Sequence, residues 1–172
     1  MFSSSFNFTV LFIVSLALTH CGHLRAFENV FQVEKIIVKK SERKMSLLDS
    51  SSKVVREYSI ALGDSPKGHK TQEGDEKTPE GIFKIDYRNP KSSYYLSLHI
   101  TYPSKADKLQ AKKRGVSPGG DIFIHGSPNG FSLFDAAYSN FDWTDGCIAV
   151  SNKEIEEIWM LVKNGTEIEI LP

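Results

Sequence analysis

The chain has 172 residues, the length of one domain of ordinary size, and 40% of them are hydrophobic, enough to bury a core. The 21 Lys and Arg residues balance 21 Asp and Glu residues, so the formal net charge is zero. This balance argues against a nucleic-acid-binding protein and against attachment to an anionic membrane through general charge.

The first 26 residues differ from the rest and are predicted to be a leader, followed by one domain over residues 27–172. An apolar stretch at 8–18 is shorter than the roughly 20 residues that span a bilayer, and it matches the hydrophobic region of a secretory signal. No Lys or Arg precedes it, which departs from the usual signal. We therefore predict export.

The leader can end in two ways, and the sequence leaves both open. Cleavage can follow Ala26. Alternatively, residues 18–21 resemble a bacterial lipoprotein box, in which Cys21 would carry a lipid and attach the protein to a membrane. His20 stands where that box has a small residue.

The first part of the mature chain is predicted to contain three strands and a long loop. Short β-forming runs occupy 33–38, 43–48 and 53–62, and the polar turn between the last two indicates a hairpin. Val54 is expected to share a face with the apolar residues that follow it. Residues 63–81 are rich in turn formers and charge, which predicts a surface loop too long to be a mere connector.

The second part is predicted to contain more strands and two helices. Alternating polarity predicts strands at 82–87, 95–101, 121–125 and 166–171. Capping boxes predict a basic surface helix over 104–114 and an amphipathic helix that begins at Ser151 and is stopped by Asn164 and Gly165. With seven or eight strands and two helices, the domain is mainly β.

Cys147 and His125 are the candidate reactive residues. Once a leader ending at Ala26 is removed, Cys147 is the only cysteine, and its polar neighbours Thr144 and Asp145 argue against a buried inert thiol. Taken alone, a histidine at a strand end is usually a hydrogen-bonded structural residue. A base beside a thiol makes it a nucleophile, and the backbone N–H groups of Gly146 and Cys147 are candidates for stabilising an oxyanion.

These residues resemble the L,D-transpeptidase family, the YkuD-type catalytic domain of bacterial cell-wall enzymes. The family signature is His-Gly, a spacer and Ser/Thr-x-Gly-Cys followed by an aliphatic residue. It stands here as residues 124–126 and 144–148. Further matches at 78–81 and 117–121 extend the resemblance over residues 33–171.

The resemblance implies a YkuD-like β-sandwich or barrel that acts on peptidoglycan stem peptides in the periplasm or cell envelope. Cys147 would attack the carbonyl of the third stem residue and expel the terminal D-Ala, and the thioester would pass to an amine. His125 would be general base and then acid, oriented by the carbonyl of Gly126. No metal or organic cofactor would be needed, and carbapenems would acylate the cysteine.

Two positions depart from the family pattern. Asp145 replaces a common His and would raise the pKa of the neighbouring thiol, and Ala149 replaces a common Arg. One expectation is that Lys67, His69 and Lys70 supply the positive charge that this Arg would provide. The other expectation for these three residues is an ordinary solvated loop.

The sequence leaves three functions open. The first is an L,D-transpeptidase. The second is a hydrolase of the same bond type, either an L,D-carboxypeptidase or an amidase that releases wall-anchored protein. The third is a non-catalytic peptidoglycan-binding module with a degenerate site. No pattern in the sequence indicates an oligomeric state.

Overall fold

A computed structural model describes residues 32–130 and 141–172, so the predicted leader and Cys21 lie outside the described residues. The strands are β1 (Lys35–Lys39), β2 (Lys44–Leu48), β3 (Val54–Ser59), β4 (Gly81–Ser92), β5 (Tyr95–Ile100), β6 (Phe123–His125), β7 (Ile148–Ala149) and β8 (Glu167–Leu171). The described helices are α1 (Lys105–Arg114), α2 (Asn152–Leu161) and a short 3-10 turn at Lys40–Glu42. In these parts of the chain, no helix has the length and apolar character needed to cross a bilayer.

The eight strands form one mixed sheet in the order β3-β2-β1-β8-β4-β5-β6-β7. The segment after β3 returns to β7 at the opposite edge, where Ala61 and Ala149 exchange two backbone hydrogen bonds of 2.9 Å. A second bridge joins Gly63 to Thr144. The two edges of the sheet therefore meet, which confirms the predicted mainly β, barrel-like domain and removes exposed edges.

Alternation along the strands places one side of the sheet in the core. Ile36 and Val38 of β1, Ile168 and Ile170 of β8, and Ile124 of β6 are all buried. The helix α2 covers part of this core with residues such as Ile155 and Ile158, as its amphipathic pattern predicts.

Both predicted capping boxes are confirmed. The Ser104 hydroxyl accepts from the N–H of Asp107, whose carboxylate accepts from the N–H of Ser104, and Ser151 and Glu154 repeat the arrangement. These local signals depend on neighbours three residues apart, so they are readable without tertiary information.

Three details of the strands and helices differ from the prediction. β4 continues to Ser92 rather than ending at residue 87, and α2 ends at Leu161, before the predicted stop at 164–165. Val54 is 50% exposed, although alternation placed it on the core face. A register shift between Leu47 and Leu48 in the β2–β3 pairing explains the reversal, because one extra residue turns the end of a strand over.

The long loop between β3 and β4 is fastened to the core by a buried lysine. The Lys40 ammonium, 2% exposed, donates to the carbonyl oxygens of Gly68 (2.7 Å) and Thr78 (2.9 Å) and to the Glu80 carboxylate (2.9 Å). Burial lowers the pKa of Lys40, and the Glu80 carboxylate opposes that effect. All three ammonium N–H bonds have an acceptor, so Lys40 holds both ends of the loop.

Replacing Lys40 by Met should therefore destabilise the protein. The change leaves two inward-facing carbonyls and a half-buried carboxylate without their donor, and we expect a loss of about 3 kcal/mol in the free energy of unfolding. Urea denaturation followed by circular dichroism measures it. The control Lys44→Met removes an exposed ion pair with Glu57 and should have a much smaller effect. Equal losses in the two variants would contradict the role given to Lys40.

Candidate active site

The register of β6 and β7 brings the two predicted reactive residues to one face of the sheet. The two strands are parallel, with Ile124 opposite Ile148 and His125 opposite Ala149. Both isoleucines point into the core, so His125 and the residue just before β7, Cys147, belong to the other face. Ordinary strand spacings place their Cα atoms about 8 Å apart, a separation that the two side chains together can bridge.

His125 is a buried, neutral imidazole of defined tautomer. Its side chain lies beside the sheet at 4% exposure, and its Nδ1 is 2.7 Å from the carbonyl oxygen of Gly126. A carbonyl oxygen only accepts, so Nδ1 carries the proton and Nε2 is left with a free lone pair. Burial lowers the pKa of His125 to about 4, and the Gly126 carbonyl acts in the opposite direction. The ring is therefore a base near neutral pH.

Cys147 is half-buried and its sulfur is held by the backbone just before β6. The Sγ atom lies 3.6 Å from the carbonyl oxygen of Asp121, and the Phe123 N–H bonds to the sulfur. Burial raises the pKa of the thiol to about 11; Asp145 and Asp121 act in the same direction, while the Phe123 N–H and the Lys70 charge oppose them. Asp145 therefore raises the pKa of the thiol, as expected, although burial raises it more.

The resting pair is a thiol and a neutral imidazole rather than an ion pair. Within residues 32–130 and 141–172, no hydrogen bond joins Sγ to the His125 ring. Hydrogen bonds between catalytic groups are often long before substrate binds and shorten in the reacting complex. Both side chains of the candidate site are therefore uncharged near neutral pH.

Thr144 organises the turn that presents Cys147. Its hydroxyl donates to the Cys147 carbonyl oxygen at 2.8 Å and accepts from the N–H of Gly146 at 3.1 Å. The Gly146 N–H is thereby occupied inside the turn. Of the two N–H groups expected to bind an oxyanion, this leaves that of Cys147. Gly146 has a φ of 130°, and a methyl group there would lie 2.6 Å from the Lys77 carbonyl oxygen. Only glycine fits.

Gly126 is required for a different reason. A methyl group on Gly126 would overlap the Oδ1 atom of Asn152, the first residue of α2. That oxygen accepts from the N–H of Ser127 at 2.9 Å, and the Gly126 N–H donates to the Tyr94 carbonyl oxygen at 3.1 Å. These contacts hold the Gly126 carbonyl toward His125.

Aromatic residues around the imidazole were not predicted from the sequence. Tyr94 lies 4.5 Å from the His125 ring and Trp143 lies 5.7 Å from it, measured between ring centroids. On the same face, His99 stands opposite Phe123 and its Nδ1 lies 2.6 Å from an Asp86 carboxylate oxygen. The alternation of β5 indicated that His99 faces away from the core, but nothing local indicated its neighbours.

The three residues expected to replace the charge of the family arginine have different environments. Lys67 is exposed. His69 accepts from the Glu80 N–H through Nδ1 (3.0 Å) and faces an Asp107 oxygen through Nε2 (2.9 Å), which fits the neutral tautomer with its proton on Nε2. Lys70 is 3% exposed and paired with Asp75 at 2.8 Å, so the expectation of a solvated loop is wrong at this residue.

A family model described as the YkuD L,D-transpeptidase catalytic domain matches residues 34–170. The chain belongs to this family. It is 26% identical over 128 residues to YafK of Escherichia coli K12, whose own assignment as an L,D-transpeptidase is provisional; the match covers 72% of this chain and 44% of YafK. The YkuD-like fold predicted from the motifs is therefore confirmed.

Solved structures of related proteins agree with this assignment. The helical cell shape determining protein Pgp2 of Campylobacter jejuni is similar with a TM-score of 0.62 and 27% identity, over 81% of this chain and 48% of that one. Bd1075 of Bdellovibrio bacteriovorus is similar with a TM-score of 0.57 and 26% identity, over 82% and 48%. The chain thus spans about half the length of these relatives.

The raised pKa of Cys147 predicts an unusual pH dependence of thiol alkylation. Only the thiolate reacts with iodoacetamide, so the rate constant should rise about tenfold per pH unit between about pH 7 and about pH 10, without levelling off near 8.5 as a free cysteine does. Asp145→Asn removes one of the charges that raise this pKa and should shift the profile to lower pH. A plateau below about pH 8 would indicate a resting thiolate–imidazolium pair and contradict the neutral pair.

Proposed function

We propose that this protein is an exported cysteine L,D-transpeptidase that acts on peptidoglycan stem peptides and remodels the cell wall. The observation that carries the proposal is the β6–β7 register, which places Cys147 on the face of the sheet that a neutral, correctly oriented His125 occupies. Membership of the YkuD family supports the chemistry and the substrate class.

In the acylation step, His125 Nε2 removes the proton from Cys147 Sγ as the sulfur attacks the carbonyl carbon of the third stem residue. The proton transfer is coupled to the attack, because the thiol pKa of about 11 leaves very little thiolate beforehand. The Cys147 N–H is the proposed donor to the oxyanion. Collapse of the intermediate breaks the bond to the terminal D-Ala, whose amine leaves with the proton from His125.

In the second step, an amine of a neighbouring stem attacks the thioester. His125 accepts a proton from that amine and returns it to the departing Cys147 sulfur, so the enzyme ends as it began. The fixed Nδ1–H bond to Gly126 keeps Nε2 facing the reacting atoms throughout both steps.

Hydrolysis by the same acyl-enzyme is the second candidate function. If water replaces the amine, the enzyme is an L,D-carboxypeptidase or an amidase. The observation that favours this candidate is Ala149, where many family members carry an Arg, because the absence of that Arg leaves the acceptor open. We also propose residues 1–26 as the leader for export to the periplasm or envelope, with the lipidation of Cys21 as its alternative ending.

Incubation of the protein with tetrapeptide muropeptides tests the proposal. We expect cross-linked dimers by mass spectrometry, whereas monomeric tripeptide alone would identify the hydrolase. Cys147→Ala should abolish product formation, and His125→Asn should lower kcat/KM by at least about 100-fold. Lys44→Met, on the exposed surface, should react like the wild type.

The outcomes separate the candidates. Product formation by Cys147→Ala would rule out this nucleophile. Binding of muropeptides without turnover by the wild-type protein would instead identify a non-catalytic peptidoglycan-binding module.

A further inference from the structure

A cavity lies between the long loop and α1. Its volume is about 300 Å³, enough for a small group such as one amino-acid residue. The lining residues are His69, Lys70, Thr71, Ala106, Asp107, Gln110 and Arg114. The lining thus contains two cations, Lys70 and Arg114, and one carboxylate, Asp107, while Asp75 pairs with Lys70 from outside the lining.

Lys70 differs from the other buried lysine in how its ammonium is satisfied. Lys40 has three acceptors, one for each N–H bond. The Lys70 ammonium is as deeply buried but has one, the Oδ1 atom of Asp75 at 2.8 Å, in the described parts of the chain. A buried ammonium with two N–H bonds lacking acceptors is costly, so its position favours a further acceptor supplied by a ligand.

The Asp75 carboxylate accepts from one of the three N–H bonds of the Lys70 ammonium. The same carboxylate also accepts from the backbone N–H groups of Thr71 (2.7 Å), Gln72 (3.1 Å) and Lys77 (3.2 Å). Burial on its own would raise the pKa of Asp75, but the Lys70 and backbone hydrogen bonds lower it. The carboxylate therefore has four donors and fixes the loop, while two N–H bonds of the ammonium are left for further acceptors in the described parts of the chain.

Some of the other polar side chains of the cavity have their hydrogen-bond partners within the protein, and one can still donate to a ligand. Asp107 accepts from the Ser104 N–H at 2.8 Å and faces His69 at 2.9 Å, so both of these side chains are occupied. Arg114 donates through Nε to the Gln110 carbonyl oxygen at 3.3 Å and through Nη2 to the Thr71 carbonyl oxygen. These bonds hold the guanidinium across the cavity mouth and leave its Nη1 group for a ligand.

The cavity is connected to the nucleophile through one short loop. A methyl group on Gly119 would lie 3.4 Å from Lys70 Cε, so the lysine stem packs directly under this loop. Two residues later, the carbonyl oxygen of Asp121 contacts the Cys147 sulfur. The Lys70 charge also acts to lower the pKa of the Cys147 thiol, so the ammonium lies close enough to Cys147 to act on a peptide bound there.

We propose that this cavity is a carboxylate-binding subsite, in which Lys70 and Arg114 hold an anionic group of the stem peptide while Cys147 attacks its backbone. The proposal rests on the proposed function. Two carboxylates of the stem have the required chemistry, the terminal one of D-Ala and the one on the diaminopimelate side chain. The subsite supplies the positive charge that Ala149 does not.

The test compares three tetrapeptides, one with both carboxylates free, one amidated at the terminal D-Ala and one amidated on the diaminopimelate side chain. For the wild-type protein, one of the two amides should lower kcat/KM by about 10- to 100-fold, mainly through KM, as expected for loss of a hydrogen bond to a charged group. Whichever amide has this effect identifies the bound carboxylate. No difference among the three peptides would overturn the subsite.

Substitutions in the cavity should remove this discrimination. Arg114→Gln changes an exposed side chain, and Lys70→Met leaves the Asp75 carboxylate its three backbone donors. In both variants the acid-to-amide ratio of kcat/KM should fall by about tenfold or more. The control Lys67→Met removes an exposed charge from the same loop and should keep the wild-type ratio. Unchanged ratios in both cavity variants would overturn the proposal.

A binding measurement separates this proposal from the proposed function. Calorimetry with the Cys147→Ala variant, which cannot react, should show tighter binding of the free acid than of the discriminating amide by about the same factor. Equal affinities for acid and amides overturn the subsite even in an active enzyme. A clear preference with no turnover by the wild-type protein supports the subsite and contradicts the transpeptidase reaction.

Discussion

The parallel pairing of β6 with β7 is the constraint on which the rest of the site depends. A two-residue strand is too short to be stable alone, so the Cys turn is held from three sides. Thr144 closes the turn internally, the Leu62 carbonyl oxygen accepts from the N–H groups of Trp143 and Thr144 at 3.1 Å, and Gly146 lies against the Lys77 carbonyl. Movement of any one of these supports would turn the thiol away from His125.

The long loop therefore supports the candidate site as well as connecting two strands. Lys40 fastens it to the barrel, its residues 76 and 77 brace the glycines at 63 and 146, and Lys70 reaches under the loop that contacts the sulfur. A loop of this length without helix or strand is commonly functional in a compact domain. The buried charges in and beneath it are paired, Lys40 with Glu80 and Lys70 with Asp75, which helps so polar a segment to hold one conformation.

The chemistry of the resting site follows from burial. Removal of water raises the pKa of Cys147 and lowers that of His125, so both groups are held in their uncharged forms. A protonated thiol is a poor target for oxidants, so burial protects Cys147 as well as keeping it uncharged. In the proposed reaction, the sulfur attacks the substrate carbonyl as the imidazole accepts the proton.

Much of this architecture was readable from the sequence, and the failures have physical causes. The helices were predicted because their caps are local, and the Cys147–His125 pair because the family motif specifies both residues and their order. The burial of Lys70 could not be read, because a lysine in a polar loop is buried only by partners distant in sequence. Asn152 was missed similarly, since its contact with Gly126 crosses from α2 to β6. The predicted burial of Val54 was wrong because a bulge changes the register of the strand without a sequence signal.

The central claim is that Cys147 forms an acyl-enzyme with the help of His125. Intact-mass spectrometry of the protein after exposure to a carbapenem, followed by peptide mapping, tests it most directly. The account predicts a mass gain equal to one carbapenem on the peptide that contains Cys147, formed much more slowly in His125→Ala and not at all in Cys147→Ala. An adduct on another residue, or one formed equally fast without the imidazole, would contradict it.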